Sequence, residues 1–437
     1  MKKICAALAV LLIVVSAFSV ISRGASSQNG PICNSKSDVP PAYTSDPGGS
    51  GSDSWPMFRH DPSHTGAETG NSVLNGTLLW KQYIDDFFVQ SSPAVVGGVV
   101  YIGSEDGSVY ALNATSGVQL WNYTTGGDVM SSPAVVGGVV YIGGGIGSFY
   151  ALNATNGFQL WNYTTGSAFE SSPTVVNGVV YVGSFDGYVN ALNATNGAKL
   201  WKFPAGGAIY SSPAVANGAV FVGSRDDNVY ALNATSGAKF WNYTTGGSVD
   251  PSPAVVNGVV YVGSDDYNVY ALNATNGAQL WNYTTNYLVE SSPAVVNGVV
   301  YIGCDGKYGF IGQNVYALNV SDGAKLWNYT TDGSVESSPA VVKGVVYVGS
   351  ADDNVYALNA TSGAKLWNYL TGDYVWSSPA VVNGVVYVGS WDGYVYAFVS
   401  SSVIPEFPTV LFIPTFMLVM LMVLVICKRK HSKTSRK

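Results

Sequence analysis

From Trp55 onward the apolar positions fall in short runs, each cut by turn-forming residues. One unit reads SSPAVV, a Gly turn, VVYVGS, an Asp or Gly turn, VYALNAT, a second Gly turn and KLWNYTT. Val, Tyr and Thr in such runs, with Gly, Asn and Asp between them, mark strands joined by tight hairpins. Each unit therefore predicts four strands, A to D, and the 3.6-residue apolar spacing of a helix is missing. SSPAVV or a near copy starts at positions 91, 131, 171, 211, 251, 291, 337 and 377, a spacing of 40 residues broken by one of 46. Four strands in about 40 residues match a propeller blade and not a helical solenoid.

The D-strand tryptophans stand at positions 80, 121, 161, 201, 241, 281, 327 and 367, so the first D strand precedes the first A strand. The last unit, Ser377 to Phe398, supplies A, B and C but no D. The orphan strand around Trp80 can complete that sheet and leave no open edge. The expectation is an all-β, eight-bladed β-propeller of four-stranded antiparallel blades, its ring closed by an N-terminal strand. A large flat side chain recurring once per blade is what the gap between twisted sheets requires, and its indole N–H can reach a neighbouring carbonyl.

Because strands alternate in direction, the A–B and C–D turns share one face of the disc and the B–C and D–A turns the other. The first face repeats VNGVV and NATNG almost unchanged, as turn geometry alone would demand. On the opposite face, just before each SSP, stand Gln90, Met130, Glu170, Tyr210, Asp250, Glu290, Glu336 and Trp376. The B–C turns there add Phe185, Arg225, Asp265, Trp391 and a six-residue insertion around Cys304 to Gly312. Differing residues in a chain of near copies make this ring the candidate ligand site. Its carboxylates suit a cation or a basic group, and Tyr210 and Trp376 suit stacking. Drift at solvated loop ends is the alternative. The acidic turns Asp226–Asp227, Asp265–Asp266 and Asp352–Asp353 invite calcium, but hairpin turns use Asp for backbone reasons too.

The ends change the picture from a free disc to an anchored one. Met1, Lys2 and Lys3 precede an apolar run from Ile4 to about Ile21, which reads as a signal peptide over 1–24 or, alternatively, a retained anchor. Residues 25–54 form a Ser, Gly, Pro and Asp-rich linker. The propeller should occupy 55–402, and 403–437 a C-terminal segment in which uncharged Thr409 to Cys427 precedes a basic tail. That pattern predicts a membrane span with a cytoplasmic tail and an extracellular propeller. The last C strand runs toward the repetitive face, so the variable face should point away from the membrane.

Residues 25–408 carry 11 basic and all 27 acidic side chains, a net charge of −16. Such a surface repels phosphate backbones, so nucleic-acid binding is excluded. Of the cysteines, Cys5 and Cys427 lie in the terminal apolar runs, which leaves Cys33 and Cys304 to pair or stay free. His60, His64 and His431 lie in the lead-in and tail, so no histidine-based acid or nucleophile system is evident. Sequons recur at Asn113, Asn153, Asn193, Asn233, Asn273 and Asn359 in NAT turns, and at Asn122, Asn162, Asn242, Asn282 and Asn328 in NYT, besides Asn75 and Asn319. An exported chain can be glycosylated there, although turn preference also explains Asn and Thr.

The stretch ALNATSGAKLW, Ala357 to Trp367, resembles the tryptophan-docking motif of quinoprotein propellers, with Asn359 where that motif usually has Asp. The lead-in SWPMFRHDPSHTG, Ser54 to Gly66, is similar to theirs as well. The chain thus resembles pyrroloquinoline-quinone-like repeat proteins over residues 54–400, a family of quinone-dependent dehydrogenases and non-enzymatic scaffolds. For a dehydrogenase the resemblance implies quinone and calcium at the axis, an Asp base and often adjacent cysteines. Adjacent cysteines are missing here, and carboxylates such as Asp250 and Glu290 are what a base or calcium ligand would draw on. Pro405-Glu406-Phe407-Pro408 before the apolar run resembles archaeal PEF-type sorting signals, which imply cleavage and lipid attachment in place of a retained span. The expected function is a non-catalytic, monomeric surface module that binds a protein, glycan or cation without a cofactor; a quinoprotein dehydrogenase is the alternative.

Overall fold

The structure, a computed structural model, describes residues 54–305 and 313–400. In the described residues eight sheets are arranged as blades; seven take their four antiparallel strands consecutively from the chain, and the eighth joins three consecutive strands to one from the N-terminal side. The first runs through Ala94–Val96, Val99–Gly103, Ser108–Asn113 and Gln119–Thr124. Burial follows position in the blade. The B strand Val139–Gly143 is buried throughout, whereas the D strand Gln119–Thr124 alternates and buries only Trp121 and half of Tyr123. In the first blade Ala94, Val95, Val100, Tyr101, Val109, Tyr110 and Ala111 are buried against neighbouring sheets, so valine and tyrosine are selected by packing on a pleated surface. The A–B turns take left-handed backbone at both central residues, as at Asn177 (φ 51°) and Gly178 (φ 75°), the geometry that matches strand twist.

Closure follows the expected route. Thr77–Tyr83 pairs antiparallel with Tyr394–Val399, from Thr77 opposite Val399 to Tyr83 opposite Tyr394. Each D-strand indole donates to a C–D turn carbonyl of the next blade, as from Trp121 to Ala154 O at 2.9 Å and from Trp241 to Ala274 O at 3.0 Å. Trp80 carries the pattern across the seam, donating to Ala114 O at 2.9 Å. The eighth blade has no C–D turn, so Val73 O replaces it and accepts from Trp367 at 2.8 Å.

Around the axis two sets of bonds lie beyond the repeat pattern. The backbone N–H of Ser92 donates to Ser132 Oγ at 2.9 Å, and the same bond recurs at each blade until Ser378 donates to Ser92 Oγ at 2.9 Å, a closed circle. Inside it, the lead-in lies along the A strands. Carbonyls of Trp55, Pro56, Pro62, Ser63, Thr65 and Gly66 accept from Val95, Val135, Val215, Val255, Val295 and Val341. Ala67–Glu68 then adds a short parallel strand to Ala340–Val342, so one sheet has five strands. The lead-in is therefore the axial filling of the ring. Its Arg59 is buried and donates to Pro339 O and Pro293 O, and burial pulls its guanidinium down to about 9. His64, equally buried, bonds Thr174 Oγ1 at 3.0 Å, and burial holds it near 4, hence neutral.

Among the described residues no helix is long and apolar enough to cross a membrane. The expected signal, most of the linker, Cys33 and the C-terminal segment lie outside the described residues.

Candidate functional site on the variable face

The two faces are built as the strand directions require. On the repetitive face each C–D turn bonds an A–B turn, as Ala114 N to Gly98 O at 2.9 Å. On the other, the first B–C turn residue donates backbone N–H to the residue two before the candidate ring: Glu105 to Phe88, Gly145 to Asp128, Phe185 to Ala168, Arg225 to Ala208, Asp265 to Ser248, Asp305 to Leu288, Ala351 to Ser334 and Trp391 to Tyr374. These residues form an outer set around Gln90, Met130, Glu170, Tyr210, Asp250, Glu290, Glu336 and Trp376, all half-buried. The structure thus places the whole predicted ring on one face, in one register.

Three clusters occupy it. In the first, Arg225 grips Asp250, with Nη2 to Oδ2 at 2.8 Å and Nε to Oδ2 at 3.0 Å. The same guanidinium lies 3.9 Å from the Tyr210 ring, whose edge meets Phe185 at 5.6 Å. Planar stacking with a forked ion pair is the arrangement arginine favours. Asp250 and Tyr210, expected to meet an outside ligand, are thus already engaged by the chain's own cation. Glu170 lies near the same charges. Its burial pushes its carboxyl up, Asp128 and Asp250 add to that, and Arg225 opposes it.

In the second cluster Asp305 replaces the arginine. Carboxylate oxygens of Glu290, Asp305 and Glu336 lie within 4.8 Å of one another. Burial, then repulsion from Asp305, Asp265 and Asp250, pushes Glu290 up to about 7. Burial with repulsion from Glu290 and Asp305 pushes Glu336 up to about 9. These three are the donors that could hold a divalent cation, since such ions take carboxylate oxygens. Sequence reasoning placed Asp305 within the insertion and missed its part in this trio.

The third cluster is aromatic. Trp376 and Trp391 sit 4.1 Å apart at 63°, Phe88 stacks on Trp391 at 4.2 Å, and Tyr374 lies 5.4 Å from Trp391. The Nε1 atoms of both tryptophans are buried without a hydrogen-bond partner. Gln90 and Met130 complete the ring between this cluster and Glu170.

Several other sequence candidates have structural partners. Asp226 accepts from Tyr230 Oη at 2.5 Å and from Gly206 N at 2.7 Å, and Asp266 and Asp352 accept likewise from Tyr270 and Tyr356. These carboxylates hold their turns together. Cys304 is a free, fully buried thiol, pushed up to about 11 by that burial. Asn113, Asn153, Asn193, Asn233, Asn273 and Asn359 are half-buried, and their side-chain oxygens cap the turns, as Asn113 Oδ1 does for Thr115 N at 3.0 Å. Asn122, Asn162, Asn242, Asn282 and Asn328 are exposed on the D strands.

Pyrroloquinoline quinone, which the resemblance raises, is a tricarboxylate. Among the described residues the rings hold one basic side chain, Arg225, and Asp250 already claims it. Beside it stand Glu170, Glu290, Asp305 and Glu336, and the axis is filled by the lead-in. These residues do not fit the quinone, because burying further negative charge among carboxylates is unfavourable.

A family model described as outer membrane protein assembly factor BamB, of the PQQ-repeat type, matches residues 71–189, 185–330 and 306–402. No curated protein sequence matches the chain. Among solved structures, BamB from Moraxella catarrhalis superposes with a TM-score of 0.63 at 21% identity, covering 74% of this chain and 99% of that one. Quinohemoprotein alcohol dehydrogenase from Comamonas testosteroni gives 0.68 at 17%, covering 81% and 82%. A europium-containing methanol dehydrogenase gives 0.69 at 15%, covering 80% and 98%. Identities this low carry the fold alone. The blade repeat, the docked tryptophans and three overlapping family matches together make this chain a member of the BamB-like PQQ-repeat family, folded as an eight-bladed β-propeller.

Proposed function

We propose that this protein is an exported, membrane-anchored propeller that works at the cell surface as a non-catalytic binding or scaffold module, and that its variable face meets the partner. One observation carries the reading: near-identical blades differ at eight half-buried positions that share one face, and those positions are acidic or aromatic for the most part. A packed scaffold needs no such variety, whereas recognition does. The apolar, then basic, C-terminal residues support the anchor. The neighbour named as BamB, an assembly factor, supports a scaffold role for this fold. The dehydrogenase neighbours favour a second reading, quinone-dependent oxidation, which the acidic rings oppose.

The test is the melting temperature of the full chain, alone and with pyrroloquinoline quinone plus calcium, because a ligand of the folded state must raise it. The expected result is no shift with both additives. A rise that needs both would favour the dehydrogenase and overturn the proposal.

A further inference from the structure

The repetitive face holds non-copies of its own, and they gather in two blades. At the residue after the C–D turn glycine, five blades carry alanine: Ala198, Ala238, Ala278, Ala324 and Ala364. Blades one and two carry Val118 and Phe158 there instead, 58% and 72% exposed. The next position is Gln119 and Gln159 in these blades, where four others have lysine. Leu120 and Leu160 follow, each 51% exposed. The A–B turns of the same two blades open on Gly97 and Gly137, where the remaining six carry asparagine or lysine. Blade two has no charged residue from Ser131 to Thr165. Blade one, from Ser91 to Thr125, has only Glu105 and Asp106, both in the B–C turn on the other face.

The chain leaves the ring beside this uncharged sector. Val399, at the end of the last C strand, lies opposite Val385, which follows an A–B turn, so the exit is on the repetitive face. Ser400 Oγ there accepts from the backbone N–H of Leu74 at 3.0 Å, and Leu74 is itself 59% exposed. Blade eight adjoins blade one, since Trp80 and Tyr387 both donate to Ala114 O. Residues 401–408 then separate Ser400 from the apolar run that begins at Thr409, a reach of at most about 30 Å.

Exposed apolar side chains gathered on one side of a body mark a contact with membrane or partner. The two turns are suited to leaving bulk water. Asn113 Oδ1 accepts from Thr115 N at 3.0 Å and Asn153 Oδ1 from Thr155 N at 2.9 Å, so these donors stay paired wherever the turn lies.

We propose that blades one and two rest on a lipid bilayer, with Val118, Leu120, Phe158 and Leu160 at the boundary between headgroups and acyl chains, so that the disc leans on these blades beside its anchor. The contact depends on the membrane anchor proposed above. Lipid is favoured over a second copy of the chain on two grounds. The short tether keeps a bilayer within reach of this sector, and two bodies of net charge −16 over residues 25–408 repel each other. An acidic body also meets an anionic headgroup layer best by its uncharged side, where apolar side chains supply the attraction.

The experiment reconstitutes the full chain in vesicles of phosphatidylcholine and phosphatidylglycerol, with benzoylphenylalanine replacing Phe158 or, in a second preparation, Ala278. Ala278 holds the same turn position in blade five, across the ring. Irradiation should join phospholipid to position 158 about tenfold more often than to position 278. Val118→Glu together with Leu120→Glu should cut the yield at 158 about tenfold, since carboxylates are repelled by the anionic surface. The melting temperature should not change, because both side chains are exposed. Equal yields at the two positions, a yield at 158 that the glutamates do not lower, or adducts to a second copy in place of lipid overturn the proposal. Carbonate washing separates contact from anchor. A chain washed off the vesicles refutes both, whereas a chain that stays on them without lipid at position 158 refutes the contact alone.

Discussion

Gly237→Ala should destabilise this propeller far more than Gly218→Ala, although both replace a glycine in a turn with left-handed backbone. Gly218 has φ near 78°, and a Cβ there would meet nothing within 4 Å. Its substitution costs the left-handed conformation of an L residue, about 1 kcal/mol. Gly237 has φ near 71°, and its Cβ would stand 2.6 Å from Cε3 and 2.7 Å from Cδ2 of Trp201. That indole cannot swing aside cheaply, because its N–H is bonded to Ala234 O at 2.9 Å and its ring packs at 5.8 Å on Tyr181. Overpacking a fixed aromatic adds about 2 kcal/mol, for a total of about 3 kcal/mol. Parallel urea unfolding followed by tryptophan fluorescence measures both, and the Gly237 variant should have much the lower midpoint at unchanged slope. Equal losses would refute the idea that close docking of glycine on the preceding blade's tryptophan sets this turn.

Two more perturbations probe other parts of the molecule. The Glu336 carboxyl lies near 9 when folded and near 4.5 in its ordinary state, so the native protein holds a proton that the unfolded chain releases. Stability from this group is complete below about pH 4.5 and falls as pH rises toward 9. Glu336→Gln should match the parent near pH 4 and exceed it at pH 8 by about 2 kcal/mol, discounted for partial exposure, as melts across that range will show. Deleting residues 54–66 strips acceptors from the six A-strand N–H groups and should lower stability by about 5 kcal/mol, read as a drop in urea midpoint.

Blade number, strand order and seam were legible because each rests on a repeated local signal. Trp80 stands out of phase with Ser91, and that offset alone implies the shared last sheet. The variable ring was legible for the complementary reason: eight non-copies among copies. The path of Trp55 to Glu68 was hidden because it occurs once and binds through backbone carbonyls, which any residue supplies. Asp305 was hidden by the insertion that follows it and disturbs the spacing. Arg225 was named, yet its grip on Asp250 and Tyr210 requires knowing that a turn residue sits between successive inner positions. Counting fifteen residues from Tyr210 to Arg225 and twenty-five more to Asp250 would have found it.

The pairing of Thr77–Tyr83 with Tyr394–Val399 has a consequence for how the chain is made. A ribosome delivers the first of these strands long before the second. For that interval Leu78, Leu79 and Trp80 have no sheet to join, and an unpaired apolar strand is a template for wrong partners. Seven blades can assemble locally in order of synthesis, but the eighth waits on a contact that spans almost the whole ring. The last step of biogenesis is thus a long-range docking event whose delay grows with the length between the two strands.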